Sequence, residues 1–308
     1  MILGYGYSIV GTAHIKKGAG CQDANTIAKL PNGWTVACVA DGVGSSKYSD
    51  VASKTAVTTV AKFLATAAFE STDDLISDVL PKAYALAQAQ IEKIADEGGH
   101  EYYHYDTTLT IALYNGETLA YGHSGDGGIV GLTYDGDYIN ITAPQKGKDG
   151  FTVIPLRGGS GSWEFGKRDE AFASVLLATD GVLDVLQPYL LRNQPTEVYV
   201  PLIRYFMDNA AIKATDKNIK KVAKEREKFL LSQASAAITD DKTLVVLFNT
   251  SVVPKVKEDS FYAEPDWAGL QEAWNRKAYP HLYKEKEPES EPEPVIEPAK
   301  GKDKRKKK

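Results

Sequence analysis

Residues Thr108 to Ser124 read TLTIALYNGETLAYGHS. Two apolar runs, TLTIALY and TLAYGHS, flank Asn115-Gly116. An Asn-Gly pair between such runs predicts a β-hairpin with a type I′ turn, because both central positions of that turn need positive φ. The same turn chemistry recurs at Asp135-Gly136, between IVGLTY and DYINIT, and predicts a second hairpin. Further out, Trp34 to Ala40 (WTVACVA), Ser174 to Ala178 (SVLLA) and Thr243 to Phe248 (TLVVLF) are short, apolar and bounded by turn residues. That is the signature of buried strands. Antiparallel strands therefore form the centre of the chain.

Helices lie between the strands. Ser49 to Phe69 carries Val51, Ala52, Thr55, Ala56, Val60, Phe63 and Leu64 at helical spacing. Asp73 to Ala95 continues in the same style, with Pro81 expected to kink it or to separate a short first helix. A third helical stretch is expected from about Tyr199 to Ala236, and its charged run IKKVAKEREKF reads as a solvated face. This order of elements predicts a mixed α/β domain with largely antiparallel sheets and helices packed outside. We place that domain at residues 1–250. Residues 251–283 follow as a C-terminal extension, where Trp267, Trp274 and several tyrosines suggest a short docking helix. Residues 284–308 are a Glu/Pro run and then a Lys-rich end, too poor in apolar residues to order themselves.

With 43% hydrophobic residues among 308, the chain has material for a sizeable core. A formal net charge of -5 argues against a general nucleic-acid binder, which presents a basic face. Cys21 and Cys38 are too few for a disulfide scaffold or a Cys-His zinc cluster, and read as small buried apolar residues. Met1 to Val10 lacks the basic-then-apolar pattern of a secretory signal, and no run approaches the roughly 18 apolar residues of a membrane span. A reducing cytoplasm is the expected setting.

The aspartates carry the chemistry. WTVACVADG ends in Asp41-Gly42 and SVLLATDG ends in Asp180-Gly181. ITDDKTLVVLF enters its strand through Asp240-Asp241, and the hairpin strand leads into Ser124-Gly125-Asp126-Gly127-Gly128. One Asp-Gly after a strand is ordinarily only a turn. Several such carboxylates at strand ends of one domain can converge on one rim, where hard divalent cations take oxygen ligands. Spacing alone leads no further than an oxygen-ligand metal site.

The runs GTAHIKKGAGCQDA, VACVADGVGS, DTTLTIALYNGETLAYGHSGDGG, LLATDGVLD and TDDKTLVVLF together resemble the motif series of the metal-dependent serine/threonine protein phosphatases, type 2C. The resemblance spans roughly residues 7 to 249. It implies a central β-sandwich of two antiparallel sheets with a helix pair on each outer face, and two Mn²⁺ or Mg²⁺ ions. By this resemblance Asp41 bridges the two metals, the Gly42 carbonyl is a ligand, and Asp180 and Asp240 are the further metal aspartates. Asp241, next in sequence, remains an alternative to Asp240. Asp23 is implied to hold metal-bound waters, and Asp126 lies at a third, looser metal position. Thr107-Thr108 matches a structural hydroxyl pair.

Two departures stand out. No arginine precedes Arg157, so the family's early phosphate-gripping arginine has no counterpart, and Lys16, Lys17 or His14 is left for that role. Val43 follows the metal Asp-Gly, and no histidine matches the family's general acid, which leaves His123, His14 or a metal-bound water. The bland readings are a polar strand residue for His14 and a hydrogen-bonded structural residue for His123. Gly158-Gly159-Ser160-Gly161-Ser162 lacks the Lys-Ser/Thr ending of a P-loop and reads as a flap near the site. The implied reaction is one-step hydrolysis of phosphoserine and phosphothreonine on proteins, opposing a serine/threonine kinase. A weakly active, phosphoprotein-binding module is the alternative. The Lys-rich end reads as a solvated tail, with an acidic partner as the sharper alternative.

Overall fold

A computed structural model describes residues 1–283, except 151, 209–211, 214, 216 and 233–237. Among the described residues, ten strands make two five-stranded antiparallel sheets. One has the order β1 (Ile2–Ile9), β10 (Lys242–Asn249), β9 (Ser174–Ala178), β6 (Gly128–Leu132), β7 (Tyr138–Asn140). The other runs β2 (Ala24–Lys29), β3 (Thr35–Ala40), β4 (Leu109–Tyr114), β5 (Leu119–Ser124), β8 (Glu164–Arg168). The hairpin at Asn115 pairs Tyr114 with Leu119, and that at Asp135 pairs Leu132 with Tyr138.

Alternation along each strand divides the core into three layers. Ala37 and Val39 of β3 face Val245 and Leu247 of β10 between the sheets, with Ile129, Phe172, Val175 and Leu177. On the opposite face of β3, Val36, Cys38 and Ala40 pack beneath two helices, α2 (Ser49–Leu64) and α3 (Leu80–Glu97). On the far side of the other sheet, Leu244, Val246 and Phe248 pack beneath α4 (Asp180–Leu186), α5 (Val200–Met207) and α6 (Ile219–Leu231). The result is the helix–sheet–sheet–helix sandwich that the resemblance implied. α1 (Thr12–Lys17) is a short helix between β1 and β2, so His14 sits on a helix and not on a strand.

Three local expectations are corrected. The Asn115 hairpin has a four-residue connection, Asn115 to Thr118, in which Gly116 alone takes positive φ (103°), so its turn is not type I′. The Asn115 Oδ1 accepts from the Glu117 and Thr118 amides at 2.9 and 2.7 Å, and this side-chain turn replaces the expected backbone one. Pro81 stands in the first turn of α3, which follows a separate short helix, Thr72–Asp74. The π-helical turn Leu75–Val79, in which the Leu80 amide donates to the Leu75 carbonyl, shifts the ladder just before a residue with no N–H to give. Among its described residues, the stretch from Tyr199 to Ala236 holds the helices α5 and α6 and not one continuous helix, because Asp208 leaves the helical region and Thr215 and Asn218 cap each other's amides ahead of α6. Its charged run is not wholly solvated. The Arg226 guanidinium stacks on Tyr205 at 3.6 Å and donates to that residue's carbonyl.

Met1–Pro265 forms one compact unit and Asp266–Lys308 a second. Residues 251–265 therefore belong with the sandwich, where Val252, Phe261 and Tyr262 pack on the core. The second unit holds α7 (Trp267–Ala278), capped by the Asp266 carboxylate. The Glu/Pro and Lys-rich tail lies outside the described residues. No helix among the described residues is long and apolar enough to cross a membrane.

Candidate metal centre

Strand ends, the loops beside them and α1 bring six of the expected residues to one cavity of about 130 Å³. Its lining includes His14, Gln22, Asp41, Gly42, Thr108, Asp126, Asp180 and Asp240. Carboxylate oxygens of Asp41, Asp126 and Asp180 all lie within 4.8 Å of one another.

Each aspartate is held by its local chain. Asp41 follows β3, and its backbone is fixed by β4's entrance. Its amide donates to Thr108 Oγ1 at 2.9 Å, while its carbonyl accepts from the Thr107 hydroxyl and the Thr108 amide, both at 2.8 Å. The structural reading of the two threonines is thus given its contacts. Gly42 is required, because a Cβ there would stand 2.6 Å from the Gln22 carbonyl and 2.8 Å from the Ser49 backbone. Asp180 opens α4 directly after β9, and Asp126 sits in the turn between β5 and β6. Asp23 lies behind the cavity, buried, accepting a hydrogen bond from Thr179 Oγ1 at 2.9 Å.

Asp240 and Asp241 part company. The Asp240 side chain is 57% exposed and lines the cavity, whereas Asp241 is 3% exposed. Asp241 accepts from the Gly11 and Gln22 amides, both at 2.6 Å, and from His14 Nδ1 at 2.9 Å. Neighbours on an extended chain point in opposite directions, so one carboxylate reaches the rim and the other anchors α1 beneath it. Sequence reading missed that anchoring role. The only signal for it was a second acidic residue where one sufficed.

Lys16 and Lys17 are both exposed on α1 and line no part of the cavity; the structure does not bring them to the aspartates. Arg157 forks onto Asp106 instead, at 2.5 and 2.8 Å. Lys146, which sequence reading did not single out, reaches to 3.7 Å from Asp126. None of Gly158 to Ser162, expected as a flap near the site, lines the cavity; Val153, ahead of them in the chain, does. His123 is fully buried and hydrogen-bonds Thr110 and the Ala143 carbonyl, away from the rim.

The crowding has an electrostatic signature. Burial first, then the charges of Asp23 and Asp180, hold the Asp41 carboxyl well above the ordinary carboxylate range. Burial, and then Asp180, push Asp126 up to about 6, with Lys146 opposing. Burial raises Asp23 to about 7 even though Thr179 donates to it. Gln22 Oε1, buried beside the same rim, has no hydrogen-bond partner. Converging carboxylates that resist ionising and an unsatisfied oxygen fit a hard divalent cation, which supplies the missing positive charge.

The sequence profile of the family described as protein phosphatase 2C matches residues 10–223. No curated protein sequence matches the chain. Among solved structures, a bacterial serine phosphatase superimposes with a TM-score of 0.61 at 13% identity, over 83% of this chain and all of the other. The serine/threonine phosphatase Stp1 from Staphylococcus aureus gives 0.58 at 14% identity, over 81% and 95% of the two chains. The catalytic domain of the serine/threonine phosphatase PstP, solved in complex with two manganese ions, gives 0.55 at 17% identity, over 80% and 97%. At such identities the likeness is one of fold. The profile, however, covers more than half of the 308 residues and takes in Asp23, Asp41, Asp126 and Asp180, so the chain belongs to the protein phosphatase 2C family.

Proposed function

We propose that this chain is a Mn²⁺- or Mg²⁺-dependent phosphatase that hydrolyses phosphoserine and phosphothreonine on proteins. The observation that carries the reading is the convergence of Asp41, Asp126 and Asp180 on one small cavity. The chain's family membership agrees with it, as does the manganese held by PstP.

Asp41, Asp180 and Asp240 are the residues that would hold the cations, with the Gly42 carbonyl beside them and Asp126 at a third position. Bound there, such cations lower the pKa of a water and neutralise the phosphoryl oxygens. The protein contributes position. Thr107 and Thr108 lock the Asp41 backbone, so its carboxylate costs little to order when substrate arrives. Asp23 lies behind the cavity against Asp41, held by Thr179 Oγ1 at 2.9 Å, and so backs the Asp41 carboxylate. With Lys16 and Lys17 away from the cavity, Lys146 is the ammonium nearest the carboxylates and the better placed to steer a phosphate. Neither cysteine joins the chemistry. Cys38 is buried within the sheet, and burial pushes Cys21 up to about 12, so neither is a thiolate near neutral pH. A phosphoprotein substrate and an opposing kinase are the partners this activity implies.

Phosphate release from a phosphothreonine peptide, measured with Mn²⁺, with Mg²⁺ and with EDTA, tests the reading. Release that needs metal supports it. Asp41→Asn and Asp180→Asn each remove several kcal/mol of charge stabilisation, which corresponds to a loss of about 10³-fold. Wild-type rates in either variant would dismiss the site. A folded protein that binds Mn²⁺ yet releases no phosphate would leave the phosphoprotein-binding alternative.

A further inference from the structure

The rim carries a second group of metal-capable side chains beside the three aspartates. His14, Asp240 and Asp241 each offer an atom within 4.8 Å of the others. Of these, Asp241 is already spent. Buried, and fixed by the Gly11 and Gln22 amides, it accepts from His14 Nδ1 at 2.9 Å. A carboxylate oxygen accepts, so this hydrogen bond puts a proton on Nδ1, and the neutral form of such a ring keeps its lone pair on Nε2. That nitrogen faces Asp240 Oδ1 at 3.9 Å. Two atoms that each bind one ion at about 2.1 Å stand no more than about 4.2 Å apart, so 3.9 Å is a distance an ion can bridge. Metal-binding histidines ordinarily donate their other nitrogen to a carboxylate, which fixes the ring and raises its basicity. His14 and Asp241 have that arrangement before any ion is considered.

The chain is built to hold this geometry. A Cβ on Gly11 would stand 2.3 Å from the Asp240 carbonyl, and the Ala13 amide donates to the Thr239 carbonyl at 2.9 Å. The start of α1 is thereby clamped to the residues that precede β10, and His14 moves with Asp240.

We propose that His14 Nε2 is a metal ligand, sharing with Asp240 one of the cations at the rim, so that the site combines imidazole nitrogen with carboxylate oxygen. The inference rests on the metal-dependent reading above and goes beyond it. Imidazole favours Mn²⁺ and the later first-row ions over Mg²⁺, which prefers oxygen and dehydrates reluctantly. The Asp241 carboxylate is the positioning group, and the site discriminates against Mg²⁺.

Pulsed EPR of the full-length protein loaded with Mn²⁺ reads the ligand directly, without any turnover. Directly bound imidazole gives ¹⁴N modulation, which becomes ¹⁵N modulation when the protein is made with ¹⁵N-histidine. Of the five histidines, His14 is the one that lines the cavity, and His123 has both ring nitrogens engaged elsewhere. The expected result is nitrogen modulation in the wild type and none in His14→Gln. Mn²⁺ affinity at that site should fall by roughly 10–100-fold in His14→Gln and by about tenfold in Asp241→Asn, while Mg²⁺ affinity changes less. The labelled wild type carries the test even if a variant misfolds. Bound Mn²⁺ without nitrogen modulation, lost on Asp180→Asn, would overturn the His14 assignment and leave the aspartate site standing. No Mn²⁺ binding at all would overturn both.

Discussion

His123 lies on β5 with no exposed surface, its Nδ1 accepting from Thr110 Oγ1 at 2.9 Å and its Nε2 donating to the Ala143 carbonyl at 3.1 Å. Burial pushes the imidazole down to about 4, against the hydrogen bond to Ala143. It is neutral in the fold, whereas the unfolded chain takes up its proton near 6.5. Between those values the unfolded state binds more protons, so this residue's effect is to lower stability as pH falls from about 6.5 to 4. The urea midpoint at pH 6.5 minus that at pH 4.5 should therefore be lower in His123→Gln than in the wild type. An undiminished difference would clear His123 as the cause. At this scale much of the site was legible in the sequence. Asp41, Asp126 and Asp180 each follow a strand that reads unmistakably as apolar, and the carboxylate after such a strand is delivered to the sheet's rim. Choosing between Asp240 and Asp241 needed the family resemblance, since two adjacent aspartates are alike until the strand register assigns each a side. The lysines of α1 misled for a related reason: their charge suits a phosphate, but the helix turns both outward.

Strands were easier to read than the turns and helix ends that join them. β3, β9 and β10 are buried on both faces, so they appear as unbroken apolar runs. Such runs show that a strand exists but hide which face meets the other sheet. The Asn115 connection was misread because Asn-Gly is the strongest type I′ signal, and the competing use of asparagine, accepting two amides with its own side chain, has no separate sequence mark. That contact has a measurable weight. Asn115→Ala removes both hydrogen bonds and should cost about 1–2 kcal/mol in urea unfolding, whereas Asn115→Asp, which keeps the acceptor, should cost less. The turn lies at the opposite end of β4 from Thr108, so Mn²⁺ affinity should not change in either variant. A stability loss under 0.5 kcal/mol in Asn115→Ala would show that water replaces the side chain there.

Across the Met1–Pro265 unit, three apolar layers hold the sheets in register and so force like charges together at one rim. Protons and cations then compete for the same carboxylates. Asp23, raised to about 7 chiefly by burial, and Asp126, raised to about 6 by burial and then Asp180, lie above the ordinary value of 3.8. Between about 4 and 7 these two carboxylates therefore bind more protons in the cation-free fold than in the unfolded chain. By linkage their contribution to stability declines as pH rises through that window, and the penalty is complete above about 7. A divalent cation reverses the balance by expelling those protons, so its binding releases protons and tightens with rising pH. At a hundredfold excess over Kd the cation should stabilise the fold by about 2.7 kcal/mol. At one fixed Mn²⁺ concentration, the rise in Tm should be larger at pH 7.5 than at pH 5.5. Titration calorimetry at pH 6.5, in buffers of different ionisation enthalpy, should give a positive number of protons released per Mn²⁺ bound, and fewer in Asp126→Asn. A count of zero in the wild type would mean that the carboxylates are already ionised without the cation, and that the rim pays no electrostatic penalty for gathering them.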